Sequence, residues 1–177
     1  MPLLKSFRGV NGYKDESAID DVVPYPFNTE KGYMNNFSNN DYRNLLFTDA
    51  SDEYFSEAVD SVIEQFKIVK KGNTRTSVNI NHFVVSFQDI GCNYEAISTI
   101  KNMILNYFSR NPYYCQIFAV EHYQEDNLHV HFVVNHVGMF GKVFYGTDNN
   151  YFDLLKYLRK STGLNWTYRW SDADDYE

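Results

Sequence analysis

"EHYQEDNLHVHFVVNHV", residues 121–137, carries four of the five histidines of the chain, and the way it is read decides the rest. In an extended strand, residues two apart share a face. His129 and His131 therefore project together, while Val130, Phe132 and Val134 point the other way, toward a core. The preceding "YYCQIFAVEHY" (113–123) is a second strand pattern, and the polar "QEDN" between the two reads as the tip of an antiparallel hairpin. Pairing would bring His122, at the end of the first strand, beside the 129/131 pair. His136 has the opposite parity and is expected to face away. Three convergent neutral imidazoles leave coordination positions open for water or substrate, as a catalytic metal site requires. A lone His on a strand face is ordinarily a satisfied or solvent-facing side chain, so spacing alone leaves both readings open.

Working outward, "NHFVVSF" (81–87) is a third strand pattern. Phe55, Val59, Val62, Ile63 and Phe66 recur at helical spacing and predict a helix over 52–69, with Asp49 and Ser51 as capping candidates and "DESAIDDVV" as a shorter helix before it. Ala96, Ile97, Ile100, Ile104, Tyr107 and Phe108 predict another, beginning near Asn93 and stopping at Asn111-Pro112. "GMFGKVF" reads as a turn into a strand-like piece, and "YFDLLKYLRKSTG" as a last helix with Gly163 as its C-cap. This order implies an α+β fold, with a central antiparallel sheet carrying the His-x-His strand and helices packed mainly on one face. Residues 24–50, rich in Asn, Pro and aromatics without periodicity, read as a long loop or flap.

With 177 residues, 44% hydrophobic and 18% aromatic, the chain can bury one core, and a single domain over 1–177 is expected. Its net charge of −7 argues against non-specific wrapping of nucleic acid, which depends on Lys and Arg displacing counterions. Basic residues nevertheless cluster at Lys67, Lys70, Lys71 and Arg75, and at Lys156, Arg159, Lys160 and Arg169. Two cysteines with no CxxC pair suggest neither a disulfide framework nor a thiolate zinc site. No apolar run is long enough to span a bilayer, so a cytoplasmic, monomeric protein without membrane association is expected.

"EHYQEDNLHVHFVVNHV" with the following Gly141-Lys142, and "HFVVSF" at 82–87, resemble the signature of the plasmid mobilisation relaxases within the His-hydrophobic-His endonucleases. The resemblance implies a metal-dependent enzyme that nicks and rejoins single-stranded DNA at an origin of transfer, with accessory mobilisation proteins as further partners. It implies His122, His129 and His131 as ligands of a divalent ion, Mn2+ or Mg2+, although three imidazoles taken alone equally suit Zn2+, Ni2+ or Cu2+. In such enzymes a Tyr hydroxyl attacks the scissile phosphate, leaving a 5′-phosphotyrosyl link and a free 3′-hydroxyl. "AIDDVVPYPFNTEKG" (18–32) resembles the segment that carries this Tyr, which implies Tyr25, with Tyr33 as second choice and Tyr13 and Tyr42 after them.

His82, at the start of "HFVVSF", is a candidate outer-shell donor, phosphate contact or ligand. Asn135 shares the face of His131 and could hold a ligand or the DNA backbone. Lys142 and Arg159 are candidate phosphate contacts, Glu121 and Asp126 are expected to be solvated, and Trp166 and Trp170 are expected in the core. Tyr145 and Tyr168 could stack on unpaired bases. A rolling-circle initiator or transposase would instead carry its Tyr on a helix after the His-x-His strand, where Tyr151 and Tyr157 lie. A third reading is a metal- or nucleic-acid-binding module that does not cleave.

Overall fold

Alternation of apolar and polar residues along "LHVHFVVN" builds the strand from which the fold is organised. A computed structural model describes residues 1–8, 13–15, 17–27, 41–46, 55–72, 77–87, 93–124 and 127–172. In chain order these form β1 (Leu3–Arg8), α1 (Ala18–Val22), a single 3-10 turn (Tyr25–Phe27), β2 (Tyr42–Arg43), α2 (Phe55–Lys71) and β3 (Ile80–Ser86). There follow α3 (Tyr94–Ser109), β4 (Ile117–Gln124), β5 (Asn127–Asn135), α4 (Asp148–Thr162) and β6 (Thr167–Asp172).

The six strands form one sheet in the order β2-β4-β5-β3-β1-β6. The β4–β5 hairpin pairs His122 with His129 and Val120 with His131, and β3 pairs with β5 so that Val84 lies opposite His131. The fold is α+β, but the sheet is mixed rather than antiparallel throughout, because β6 runs parallel to β1. β1 and β6, at the two ends of the sequence, complete one edge. Neither strand was anticipated: "LLKSFR" and "TYRWSD" are short and lack the run of β-branched residues that marks β3 and β5.

Helices cover both faces of the sheet, not mainly one. On one face Val85, Phe83, Val130, Phe132 and Val134 pack with Ile97, Ile100 and Ile104 of α3 and Leu154, Leu155 and Leu158 of α4. On the other, Ile80, Phe118, Val120 and Val133 pack with Ile19 and Val22 of α1 and Val62, Ile63 and Phe66 of α2. The reason is in β5 itself, where both parities are apolar beyond His131: Val130, Phe132, Val133 and Val134 are all fully buried. Each fully buried Val or Phe contributes about 1.5–3 kcal/mol, so leaving the Val133 face uncovered would be costly. On the same face His82 lies opposite Val133, and His131 and His129 follow toward the hairpin end of β5.

Local capping follows the sequence. The Asn93 side chain accepts from the backbone N–H groups of Glu95 and Ala96 at the start of α3, and Gly163 ends α4 with φ 69°. The strand-like piece after the 138–141 turn forms only an isolated bridge, Val137 to Val143, because the turn closes on itself through Gly138 N–H donating to the Lys142 carbonyl. Of the 24–50 segment, the Tyr25–Phe27 turn and β2 are defined. Tyr33, Asp49, Ser51 and Asp126 lie outside the described residues. Among the described residues, no helix is long and apolar enough to cross a membrane.

Candidate metal centre and the tyrosine turn

Strand pairing puts His122 and His129 directly opposite each other, and His131 is two residues along on the same face. One ring nitrogen from each lies within 4.8 Å of the other two. The Nδ1 of His122 and the Nε2 of His129 are 3.2 Å apart, a separation that two nitrogens each about 2.1 Å from a common ion readily span. His122 and His131 are buried and His129 is half-buried, so the group is closed from the core side and open at His129.

Two of the three imidazoles are fixed by a partner on the nitrogen turned away from the cluster. His122 donates Nε2–H to the carbonyl of Pro26 at 2.7 Å, which leaves Nδ1 as the lone-pair nitrogen facing His129. The Nδ1 of His131 is 2.8 Å from Nε2 of His82, which leaves Nε2 of His131 for the cluster. Such outer partners set the tautomer and aim the ring of a metal-ligating His. The donor set and its support are thus compatible with a divalent metal on His122, His129 and His131.

His82 is buried on β3, stacked on Phe7 at 5.0 Å between ring centroids and on His131 at 5.1 Å. Burial, with the neighbouring His122, pushes its pKa down to about 3. It therefore stays neutral and able to share a hydrogen with His131. Of the roles open to it from sequence, this placement is compatible with a hydrogen-bond partner that orients His131.

Tyr25 is brought to the same place. Its ring centroid is 5.7 Å from that of His82 and 5.9 Å from that of His131, and it is half-buried. The next residue, Pro26, provides the carbonyl that holds His122. Pro24 and Pro26 restrict the backbone on both sides of Tyr25, and the resulting 3-10 turn is seated by Phe27 stacking on Phe118 at 5.5 Å.

Other candidates fall elsewhere. Asn135 shares the parity of His131 but is fully buried, donating to the Phe66 carbonyl and to Gln116 Oε1 and accepting from Val137 N–H. It ties the end of α2 to the sheet and touches no solvent, so it cannot contact DNA. Lys142 is exposed in the turn beyond the C-terminal end of β5, the end away from His129. Arg159 donates to the Trp166 carbonyl and ties α4 to the start of β6. His136 faces away as expected, buried with its Nδ1 3.0 Å from Asn81 Nδ2. Trp166 is in the core, whereas Trp170 is 54% exposed on the edge strand β6, which no further strand covers among the described residues. Tyr151 and Tyr157 belong to the α4 face: Tyr151 packs on Phe83 and Phe144, and Tyr157 on Tyr107. The sheet separates both from the histidines.

Two features were not found by sequence reasoning. The Pro26 carbonyl is a backbone group, invisible to residue type. Lys101 of α3 bridges Asp41 at 2.5 Å and Glu121 at 2.6 Å, so Glu121 is paired rather than simply solvated. Its signal was present as a Lys on the apolar stripe of Ile97, Ile100 and Ile104. The Ala119 N–H donates to the Asp41 carbonyl, so this trio fastens the chain entering β2 against β4.

A sheet strand presenting His-hydrophobic-His, completed by a His from its hairpin partner, gathers three imidazoles that could hold one metal ion. A family model for the nuclease domain of MobA/VirD2-like relaxases matches residues 30–162, and the chain belongs to this family of relaxases, which are DNA-nicking endonucleases. The match contains all three histidines and His82, and begins five residues after Tyr25. No curated protein and no solved structure matches the chain.

Proposed function

We propose that this chain nicks and rejoins single-stranded DNA at an origin of transfer, using Tyr25 as nucleophile, in the mobilisation of a plasmid or conjugative element. The observation that carries the reading is that the Tyr25 ring lies against His131 and His82 while the next residue holds His122. His122, His129 and His131 would hold a divalent ion, Mn2+ or Mg2+ by resemblance, which supplies positive charge for the non-bridging oxygens of the scissile phosphate. The Tyr25 hydroxyl attacks phosphorus and forms the new Tyr O–P bond. The P–O3′ bond breaks, and the departing oxygen takes up a proton as a 3′-hydroxyl. The phosphoester is kept in the 5′-phosphotyrosyl link, so attack by a 3′-hydroxyl reverses the step and rejoins the strand.

The placement of Tyr151 and Tyr157 on the opposite face of the sheet counts against a rolling-circle initiator or transposase arrangement. We place the activity in the cytoplasm, in one domain over 1–177, acting as a monomer with accessory mobilisation proteins. Incubation with a randomised pool of single-stranded DNA and Mn2+ should give a protein–DNA adduct that survives denaturation and is absent with a chelator. No adduct from metal-loaded protein would favour a binding module without cleavage.

A further inference from the structure

A pocket of about 510 Å³ opens where β1 ends, β3 begins and α4 starts. Its walls include the rings of Phe7, Tyr13 and Tyr145, with Asn81, Gly146 and Asp148 supplying the polar edge. Phe7 also stacks on His82, and His82 reaches His131, so these two side chains lie between the pocket and the histidine cluster, and the pocket shares none of the candidate ligands.

Two observations define what it would accept. Asn81 is 6% exposed and spends its Nδ2 on His136 Nδ1 and the Phe144 carbonyl; no described residue donates to its Oδ1. A buried acceptor without a donor is uncommon, and this one lies at the pocket wall against Gly146, where a Cβ would come within 2.2 Å of it. The second acceptor is Asp148, whose Oδ1 takes the Tyr168 hydroxyl. Among the described lining residues there is one carboxylate and no Lys or Arg. A phosphate would be repelled there. A flat, neutral, donor-bearing group between aromatic walls is favoured.

We propose that this pocket takes one unpaired base of the DNA strand, a base carrying an exocyclic amino group such as cytosine, with Tyr145 as its stacking wall and Asp148 as acceptor for the amino group. The proposal rests on the reading of the chain as a single-stranded-DNA nuclease. Cytosine and thymine separate the chemistry cleanly, because one presents an amino donor where the other presents a carbonyl.

The test measures binding of fluorescein-labelled dC12 and dT12 to the full chain in Mn2+ by anisotropy, with thermal melting to confirm that each variant is folded. The wild type should bind dC12 about fivefold more tightly than dT12, and Asp148→Asn should level that preference. Tyr145→Ala, at a ring already 60% exposed, should weaken dC12 about tenfold. Equal binding of the two oligonucleotides, or no effect of Tyr145→Ala, would overturn the pocket assignment while leaving the nuclease reading intact. If neither oligonucleotide bound the wild type, both would fall.

Discussion

His122 donates its Nε2–H to the carbonyl oxygen of Pro26 across 2.7 Å, and Pro26 immediately follows Tyr25. One hydrogen bond thus joins a candidate metal ligand to the turn that carries the candidate nucleophile. If His122, His129 and His131 hold the ion, metal binding and the seating of that turn are one event. Added Mn2+ at about 100 times its Kd should then stabilise the fold by about 2.7 kcal/mol, raising Tm by roughly 5–10 °C in a chain of this length. A chelator should reverse the shift, and His129→Ala should abolish it. Differential scanning fluorimetry checks all three.

His82 acts through His131 in this account, with its Nε2 2.8 Å from His131 Nδ1. Removing such an outer partner ordinarily costs about 10- to 100-fold in metal affinity. His82→Phe keeps a ring against Phe7 but loses the nitrogen. It should weaken Mn2+ binding by that factor in isothermal titration and lower nicking at limiting metal, with activity recovering as Mn2+ is raised. Unchanged Mn2+ affinity would make His82 a packing residue.

Acidification should destabilise the metal-free chain from pH 6.5 downward. Burial, with Lys70 nearby, lowers the His136 pKa to about 4, and His82 is shifted in the same direction. Between the folded and unfolded pKa values the unfolded chain binds more protons, so stability is fully present above about pH 6.5 and is lost as pH falls through 4. At about 1.4 kcal/mol per pKa unit, His136 alone accounts for a loss on the order of 3 kcal/mol by pH 4. Urea unfolding at pH 7 and pH 5 should show the drop. His136→Gln should flatten it.

The fold of the central hairpin was legible because its signal is local. Period-two alternation in "LHVHFVVN" sets which side chains share a face, and the short polar connection sets the pairing, so His122 fell opposite His129. What was not legible depends on partners distant in sequence. β1 and β6 are 159 or more residues apart and have weak patterns of their own. The coverage of the second face follows from where α1 and α2 pack, which periodicity within either helix does not reveal. Asn135 shows the limit at the level of one residue: parity placed it on the face of His131, but the approach of Phe66 closed that end of the face. Tyr25 was reached only by resemblance, since nothing in the spacing of a Pro-Tyr-Pro segment indicates that it returns to a strand nearly a hundred residues later.

Asn135 and Lys101 should matter for stability rather than for chemistry. Asn135→Ala removes two donors and leaves buried groups of Phe66, Gln116 and Val137 without their partner, at a cost of about 2–4 kcal/mol. Lys101→Met removes the ammonium group that Asp41 and Glu121 share, at a cost of about 3 kcal/mol. In both variants the Mn2+ affinity of the folded protein should stay within about twofold of wild type. A tenfold loss of metal affinity in Asn135→Ala would return that residue to the metal site.

The central claim is that Tyr25 forms the covalent bond to DNA. It is tested by digesting the denaturation-resistant adduct with protease and nuclease and locating the phosphonucleotide by mass spectrometry. The account predicts a nucleotide joined through its 5′-phosphate to the peptide containing Tyr25, absent from Tyr25→Phe, while that variant still binds Mn2+ and single-stranded DNA. An adduct on Tyr33, or one that persists undiminished in Tyr25→Phe, would contradict it.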